Sequence, residues 1–151
     1  MKVLFATDGG RQCDAAIGSL KLLALKEGDE IKIISVVDMA LPMAIDIYGG
    51  YLPDTTELEK TARDNAAKIL SETTAKLKDF AETTGISISS EVLYGSPDSR
   101  IVETAEVWKA DLIIVGSHGY SRWERLLLGS VSDSVVHHAP CSVLVVRVPA
   151  E

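Results

Sequence analysis

The stretch GSHGYSRWERLLLGS, from Gly116 to Ser130, decides the fold, because a buried strand leads into it and a helix follows it. The apolar run Leu112 to Val115 is typical of a strand, and Val131 to His138 is typical of a helix. Glycines let the backbone approach a ligand closely, and the first N–H groups of a helix are unpaired and favour anions. The stretch therefore predicts a phosphate-binding loop, to which the N–H of Val131 adds a donor. Its matched positions are Gly116, Gly119, Gly129 and Ser130.

Two other interpretations of the same residues stay open. Glycines also serve ordinary turns, and the sequence from Ser130 to Asp133 predicts a capping box, in which the Ser130 oxygen accepts the N–H three residues on. A capping role does not exclude a phosphate contact. A Walker A loop is excluded, because no Gly-Lys-Ser/Thr follows the glycines, and the GxGxxG pattern is also missing.

The whole chain alternates predicted strands and helices. Such alternation requires parallel strands joined by right-handed crossovers, which predicts a single-domain α/β protein with helices on both faces of an open sheet. The predicted strands are Lys2–Thr7, Ile31–Val37, Ile86–Tyr94, Leu112–Val115 and Val143–Val148. The predicted helices are Gln12–Lys26, Thr56–Thr84, one that begins at Pro97 after an N-cap at Ser96, and Val131–His138. The long second helix has one apolar stripe, formed by Leu58, Ala62, Ala66, Ile69, Thr73, Leu77 and Phe80.

Asp8 follows the first predicted strand directly. Ligands of open α/β sheets bind outside the carboxyl ends of the strands, where the strand order reverses. A carboxylate at this place can accept hydrogen bonds from adenine or ribose, or can adjoin a metal ion. The alternative is an N-cap or turn role for Asp8 before the first helix.

The glycine spacing, the following VSDSVVHHAPCSVLVVR and the opening MKVLFATDGG together resemble the nucleotide-binding branch of the universal stress protein family. The resemblance covers residues 1–151 as one domain. It implies a Rossmann-like, adenine nucleotide alpha hydrolase-like sheet of order 3-2-1-4-5, whose switch point lies between Asp8 and Gly116. It also implies that Ala6 and Thr7 line the site and that the backbone of Val36 meets adenine. The expected ligand is ATP with magnesium, and ADP and AMP are the alternatives.

Three side chains of the glycine loop complete the predicted nucleotide-binding residues. Arg122 and Arg125 can pair with terminal phosphates, and His118 is included beside Gly119. No orienting partner for His118 is visible in the sequence, so a general-base role is not expected. Cys13 and Cys141 show neither CxxC nor metal-site spacing, and both are expected to pack inertly.

Charge and hydropathy limit the possible partners. The net charge of −7 disfavours nucleic acid and anionic membranes, and no apolar run approaches the ~20 residues of a membrane span. No signal peptide is visible, so a cytoplasmic location is expected. Val143–Val148 would form an apolar sheet edge, which a homodimer about a twofold axis would cover, as the resemblance also implies. The apolar segment Met39–Leu52 is expected to form a lid, a protein-partner surface or part of the core.

Three functions are compatible with these features. The preferred one is an ATP-binding stress-response or signalling module with little or no turnover, because the sequence supplies no oriented nucleophile or base. A slow ATPase or adenylyl-transfer enzyme in the same crevice is the second. A nucleotide-independent interaction module is the third, and the intact glycine pattern disfavours it.

Overall fold

The computed structural model describes residues 1–38, 55–117 and 128–148. Within them, strands and helices alternate as the sequence predicts. The elements are β1 (Lys2–Ala6), α1 (Gln12–Lys21), β2 (Glu30–Val37), α2 (Thr55–Thr84), β3 (Ser87–Tyr94), α3 (Pro97–Trp108), β4 (Leu112–Gly116), α4 (Ser130–His138) and β5 (Ser142–Val146).

The five strands form one parallel sheet of order β3-β2-β1-β4-β5, which confirms the predicted fold. The strand order reverses at β1, since the chain adds β2 and β3 on one side and β4 and β5 on the other. The carboxyl ends of β1 and β4 therefore lie side by side at the switch point.

Two apolar layers cover the sheet, and each is buried by a different pair of helices. On one face, α1 and α2 pack against the strands through Ile17, Leu20 and Leu77, with Phe5 and Ile33 of the sheet beneath them. The opposite face is covered by α3 and α4. Its buried core contains Leu4, Ile34, Ile101, Ala105, Ile113 and Val135. Both faces of the central strands are therefore dry, which explains their continuous apolar runs.

Helix α1 is shorter than predicted, because it ends at Lys21 and not at Lys26. The N–H of Leu22 bonds back to the carbonyl of Ser19 at 3.2 Å and tightens the last turn. A continued helix would turn Ala24 towards the core. Instead the chain leaves the helix, Ala24 is exposed and Leu25 is buried. Because leucine removes more apolar surface from water than alanine does, burial of Leu25 favours the early end.

Helix α2 has nearly the predicted bounds, but only its second half packs as predicted. Ala66, Leu70, Thr73 and Leu77 are buried, whereas Leu58 is 62% exposed. The predicted stripe is therefore wrong for its first two members, Leu58 and Ala62, which face away from the described core. None of the described helices is long and apolar enough to cross a membrane.

Candidate functional site

A cleft of about 200 Å³ opens at the switch point, between the carboxyl ends of β1, β2 and β4. It brings together six of the residues that the sequence predicts for nucleotide binding. Those six residues are Ala6, Thr7, Asp8, Val36, Gly116 and Val131. The other lining residues are Phe5, Gln12, Cys13, Ala16, Ile34, Pro97, Ile101 and Val115.

The backbone of Val36 opens into this cleft. In a parallel strand the N–H and C=O of one residue face one neighbouring strand, and those of the next residue face the other. The carbonyl of Ile34 accepts the N–H of Thr7 at 3.0 Å, so Ile34 faces β1, and so does Val36 two residues later. Strand β1 ends at Ala6, however. Within the described chain no backbone bond reaches the N–H or the C=O of Val36, which leaves one donor and one acceptor at the cleft wall.

Asp8 sits in a tight turn after β1. One carboxylate oxygen, Oδ1, accepts the N–H of Gly10 at 2.9 Å, and Thr7 Oγ1 accepts the N–H of Gly9 at 3.1 Å. The N-cap of α1 is Arg11, without a side-chain cap, so the turn role of Asp8 is confirmed and the N-cap role is wrong. Asp8 is exposed, and its Oδ2 bonds to no other described residue. A carboxylate oxygen is thus presented at the mouth of the cleft.

The start of α4 differs from the predicted capping box. The N-cap is Gly129, no side chain caps the helix, and Ser130 is the exposed first helical residue. The N–H of Asp133, which the Ser130 oxygen was expected to accept, donates instead to the carbonyl of Gly129 at 2.8 Å. The capping-box prediction is therefore wrong, because the extended Gly129 backbone already supplies the acceptor.

Two hydrogen bonds to the carbonyl of Ser117 join the end of β4 to the start of α4. The carbonyl of Ser117 accepts the N–H of Gly129 at 2.7 Å and the hydroxyl of Ser132 at 3.2 Å, and the same hydroxyl lies 3.0 Å from the carbonyl of Gly129. Ser132 is only 2% exposed. The Gly129 N–H is occupied by this contact, and neither Gly129 nor Ser130 belongs to the cleft lining. The helix-start residue that lines the cleft is Val131.

Helices α3 and α4 are connected beside the cleft by Asp98. Its carboxylate accepts hydrogen bonds from the hydroxyls of Ser96 and, at 2.8 Å, Ser134 of α4. These two hydroxyls, with the backbone N–H of Ser99, lower the pKa of Asp98 below its ordinary value of 3.8. The contact holds the start of α3, with Pro97 and Ile101 in the cleft wall, against α4.

Several predicted residues lie outside the described chain, and others were missed by sequence reasoning. His118, Gly119, Arg122, Arg125 and the segment Met39–Leu52 fall in the undescribed ranges. The missed residues are Gln12, Cys13, Ile34, Pro97, Ile101 and Ser132. Gln12 and Cys13 follow the Asp8 turn closely in the sequence, so their place near the cleft could have been predicted. Pro97 and Ile101 reach the cleft only through the packing of α3.

The described part of the cleft lining carries little charge. Asp8 is the one charged side chain among these described residues, and Cys13 is buried with its sulfur 3.6 Å from Thr73 Oγ1. No cluster of three His, Cys, Asp or Glu side chains occurs in the described ranges. A magnesium ion that accompanied a nucleotide would therefore find Asp8 as its carboxylate here, with nucleotide phosphates as further ligands.

Comparison with known proteins places this architecture in a family. The model of the universal stress protein family matches residues 1–147. A universal stress protein of Methanocaldococcus jannaschii is 38% identical over 98% of this chain and 82% of its own length. The solved structure of universal stress protein UspA from Lactobacillus plantarum is 25% identical, with a TM-score of 0.75 over 97% of each chain. A second solved structure, a universal stress protein in complex with cAMP, is 25% identical, with a TM-score of 0.62 over 97% of this chain and 96% of its own.

Three findings agree. The sheet has the order β3-β2-β1-β4-β5 with a cleft at its switch point, the family model matches residues 1–147, and one relative is 38% identical. The chain belongs to the universal stress protein family.

Proposed function

We propose that the switch-point cleft binds an adenine nucleotide, and that ATP is the working ligand. The observation that carries the proposal is the backbone of Val36, whose N–H and C=O face the cleft side by side and bond to no other backbone group of the described residues. An adenine edge offers a complementary acceptor and donor. The apolar side chains of Ile34, Pro97 and Ile101 suit the faces of the base. The related protein solved with cAMP supports a purine nucleotide as the ligand class.

The ribose and phosphates are expected on the β4 side of the cleft. The Oδ2 of Asp8, which bonds to no other described residue, can accept a ribose hydroxyl, and Thr7 and Ala6 line the same wall. The cleft is smaller than the roughly 300 Å³ at which small-molecule sites begin. We therefore assign the base and ribose to the cleft, and the phosphates to the region of Gly116 and the start of α4.

At the start of α4, the Val131 N–H and the Ser130 hydroxyl are available to phosphate, together with the positive end of the helix dipole. The dipole alone contributes only ~0.3–1 kcal/mol, so further donors and a metal ion are needed for useful affinity. Gly119, His118, Arg122 and Arg125 are proposed to supply the donors, and a bound Mg²⁺ would supply further positive charge to the phosphates. Asp8 is the carboxylate that fits this ion.

The proposed role is a nucleotide-dependent stress-response or signalling module with little or no turnover. The polar side chains of the cleft suit binding better than chemistry: Asp8 is tied to Gly10, and the Cys13 sulfur is buried against Thr73. Slow ATP hydrolysis or adenylyl transfer remains the alternative, for which Asp8 and a bound Mg²⁺ are the starting points. Formation of ADP or AMP from added ATP by the purified protein would indicate the enzyme and not the binding module.

Two further segments belong to the same proposal. Strand β5 lies at the sheet edge, its middle residues are half-buried, and Val148 beyond it is 42% exposed. We assign Val143–Val148 to a homodimer interface, which would remove an open apolar edge. The Met39–Leu52 segment stays a candidate lid over the nucleotide, a candidate surface for a further protein partner or a part of the core.

Thermal unfolding with and without ATP and Mg²⁺ tests nucleotide binding. A ligand at 100 times its dissociation constant stabilises the native state by about 2.7 kcal/mol, a readily measured shift. We expect the shift for the wild type, a smaller one for Asp8→Ala, and an unchanged one for Asp14→Ala. Asp14 is a matched control, because it is an exposed carboxylate on α1 that pairs with Lys76 outside the cleft. No shift with millimolar ATP, ADP, AMP or cAMP would sink the proposal.

A further inference from the structure

Gln12, the first residue of α1, lies across the end of β4. A Cβ placed on Gly116 would stand 3.0 Å from Cβ of Gln12, 3.4 Å from its Cγ and 3.6 Å from its Oε1. The same Oε1 is 3.5 Å from a Cβ placed on Gly10. The Gln12 carboxamide therefore occupies the space between the Asp8 turn and the tip of β4, inside the cleft.

The carboxamide is free to bind a ligand. No hydrogen bond joins it to any residue of the described ranges, although it lines a cleft. Among the described lining side chains it is the one that carries N–H donors, because the others are apolar, a hydroxyl, a thiol or the carboxylate of Asp8. Gln12 thus supplies side-chain N–H donors, which the Asp8 carboxylate cannot supply.

The position of Gln12 fixes which part of a nucleotide it can reach. Strand β1 separates β2 from β4, so Val36 and Gly116 stand about two strand spacings apart, or about 9.6 Å. With adenine at Val36, the base and ribose fill this span and the first phosphate arrives at Gly116. Gln12 is packed on Gly116 and therefore meets the phosphate and not the base.

We infer that Gln12 is a phosphate-contacting specificity residue, which makes the cleft prefer a nucleotide to the nucleoside. The inference rests on the proposed adenine-nucleotide function and deepens it. Asp8, the one charged group among the described lining residues, stands at the mouth of the cleft and repels a phosphate. An N–H of the Gln12 carboxamide donates to a phosphate oxygen and offsets that repulsion. Adenosine has no phosphate and gains nothing from this donor.

The test compares adenosine and AMP affinities by calorimetry in the wild type and in Gln12→Met. Methionine keeps the length and volume of glutamine but removes the N–H donors. We expect the ratio of AMP to adenosine affinity to fall about ten-fold, since a hydrogen bond to a charged group is worth at least that factor. Gln12→Glu, which adds a second carboxylate, should lower the ratio further.

Gly18→Glu is the matched control for charge. Gly18 is an exposed α1 residue with open space around its Cβ position, and it lies about 9 Å along the helix from Gln12. In Gly18→Glu the ratio of AMP to adenosine affinity should stay within two-fold of the wild-type ratio. If the wild type binds AMP and adenosine but both Gln12 variants keep the wild-type ratio, the inference is wrong. If the wild type binds neither ligand, the adenine-nucleotide proposal itself fails.

Discussion

The backbone N–H of Gly129 donates to the carbonyl of Ser117 at 2.7 Å, and this bond joins the end of β4 to the start of α4 across eleven intervening positions of the sequence. The buried hydroxyl of Ser132 lies within hydrogen-bond distance of the carbonyls of Ser117 and Gly129. The N–H of Gly129 thus holds the start of α4 against the end of β4. A phosphate-loop pattern alone would assign this N–H to a ligand.

Ser132→Ala should therefore destabilise the protein more than Ser130→Ala. Loss of the Ser132 hydroxyl removes a buried hydrogen bond worth about 1 kcal/mol, while both carbonyls keep their backbone partners. Ser130 is exposed and caps nothing, so its substitution should stay within about 0.5 kcal/mol. Urea unfolding measures both values. A larger loss for Ser130→Ala would restore the capping box and contradict the helix start described here.

A second prediction concerns Gly9, which holds φ +74° beneath Ile69 of α2. A Cβ at Gly9 would stand 2.7 Å from Cγ1 of Ile69, so Gly9→Ala adds a clash to the cost of a left-handed backbone. Gly28→Ala is the matched control, because Gly28 has φ +90° with open space around its Cβ position. We expect about 1 kcal/mol of destabilisation for Gly28→Ala and about 2–4 kcal/mol for Gly9→Ala.

A double-mutant cycle separates the clash from the backbone strain. In an Ile69→Ala background the side-chain atoms that meet Gly9 are gone, so Gly9→Ala should then cost no more than Gly28→Ala. An unchanged cost in that background would show that Ile69 is not the obstacle. Since Gly9 stands next to Asp8, the clash variant should also weaken ATP-dependent stabilisation.

A third prediction follows from the lowered pKa of Asp98. A carboxyl group whose folded pKa lies below its ordinary 3.8 binds its proton more weakly in the native state than in the unfolded state. Its stabilising contribution is therefore complete above pH 3.8 and is lost as the pH falls through the folded pKa. Ser134→Ala removes one of the two hydroxyl donors and should reduce this contribution.

Urea unfolding of wild type and Ser134→Ala at pH 7 and pH 3 measures the effect. We expect the variant to be less stable by about 1 kcal/mol at pH 7, with a smaller difference at pH 3, where Asp98 is closer to protonation. Ser142→Ala, an exposed serine of β5, should show no such pH dependence. An equal deficit of Ser134→Ala at both pH values would contradict the assigned role of the Asp98 charge.

The outcome for individual residues shows what a sequence pattern can predict here. The parallel α/β fold follows from local periodicity and the parallel-sheet rules, so it could be predicted from the residues alone. The strand order, which brings Asp8 next to Gly116, is implied by the family resemblance and is confirmed by the structure. The exposure of Leu58 could not be predicted. An apolar stripe shows which face of a helix is apolar, but it does not show how much of that face the core covers. Pro97 and Ile101 reach the cleft through the packing of α3, a long-range relation without a local signature.

The last prediction concerns the open edge of the sheet at β5. Val143 is half-buried there and packs against the α3–α4 face, so a partner strand alongside would cover it. Val143→Lys places a charge on the edge and should convert the proposed homodimer to a monomer, since an edge lysine opposes strand pairing. Sedimentation equilibrium at micromolar concentration measures the change.

Ile88→Lys is the matched control for that experiment, because Ile88 is half-buried on β3 at the opposite edge of the same sheet. It carries the same added charge and a similar loss of apolar contact, so folding defects should affect both variants alike. We expect Ile88→Lys to remain dimeric. A dimer that survives Val143→Lys but dissociates with Ile88→Lys would move the interface to β3, and a monomeric wild type would remove the dimer from the proposal altogether.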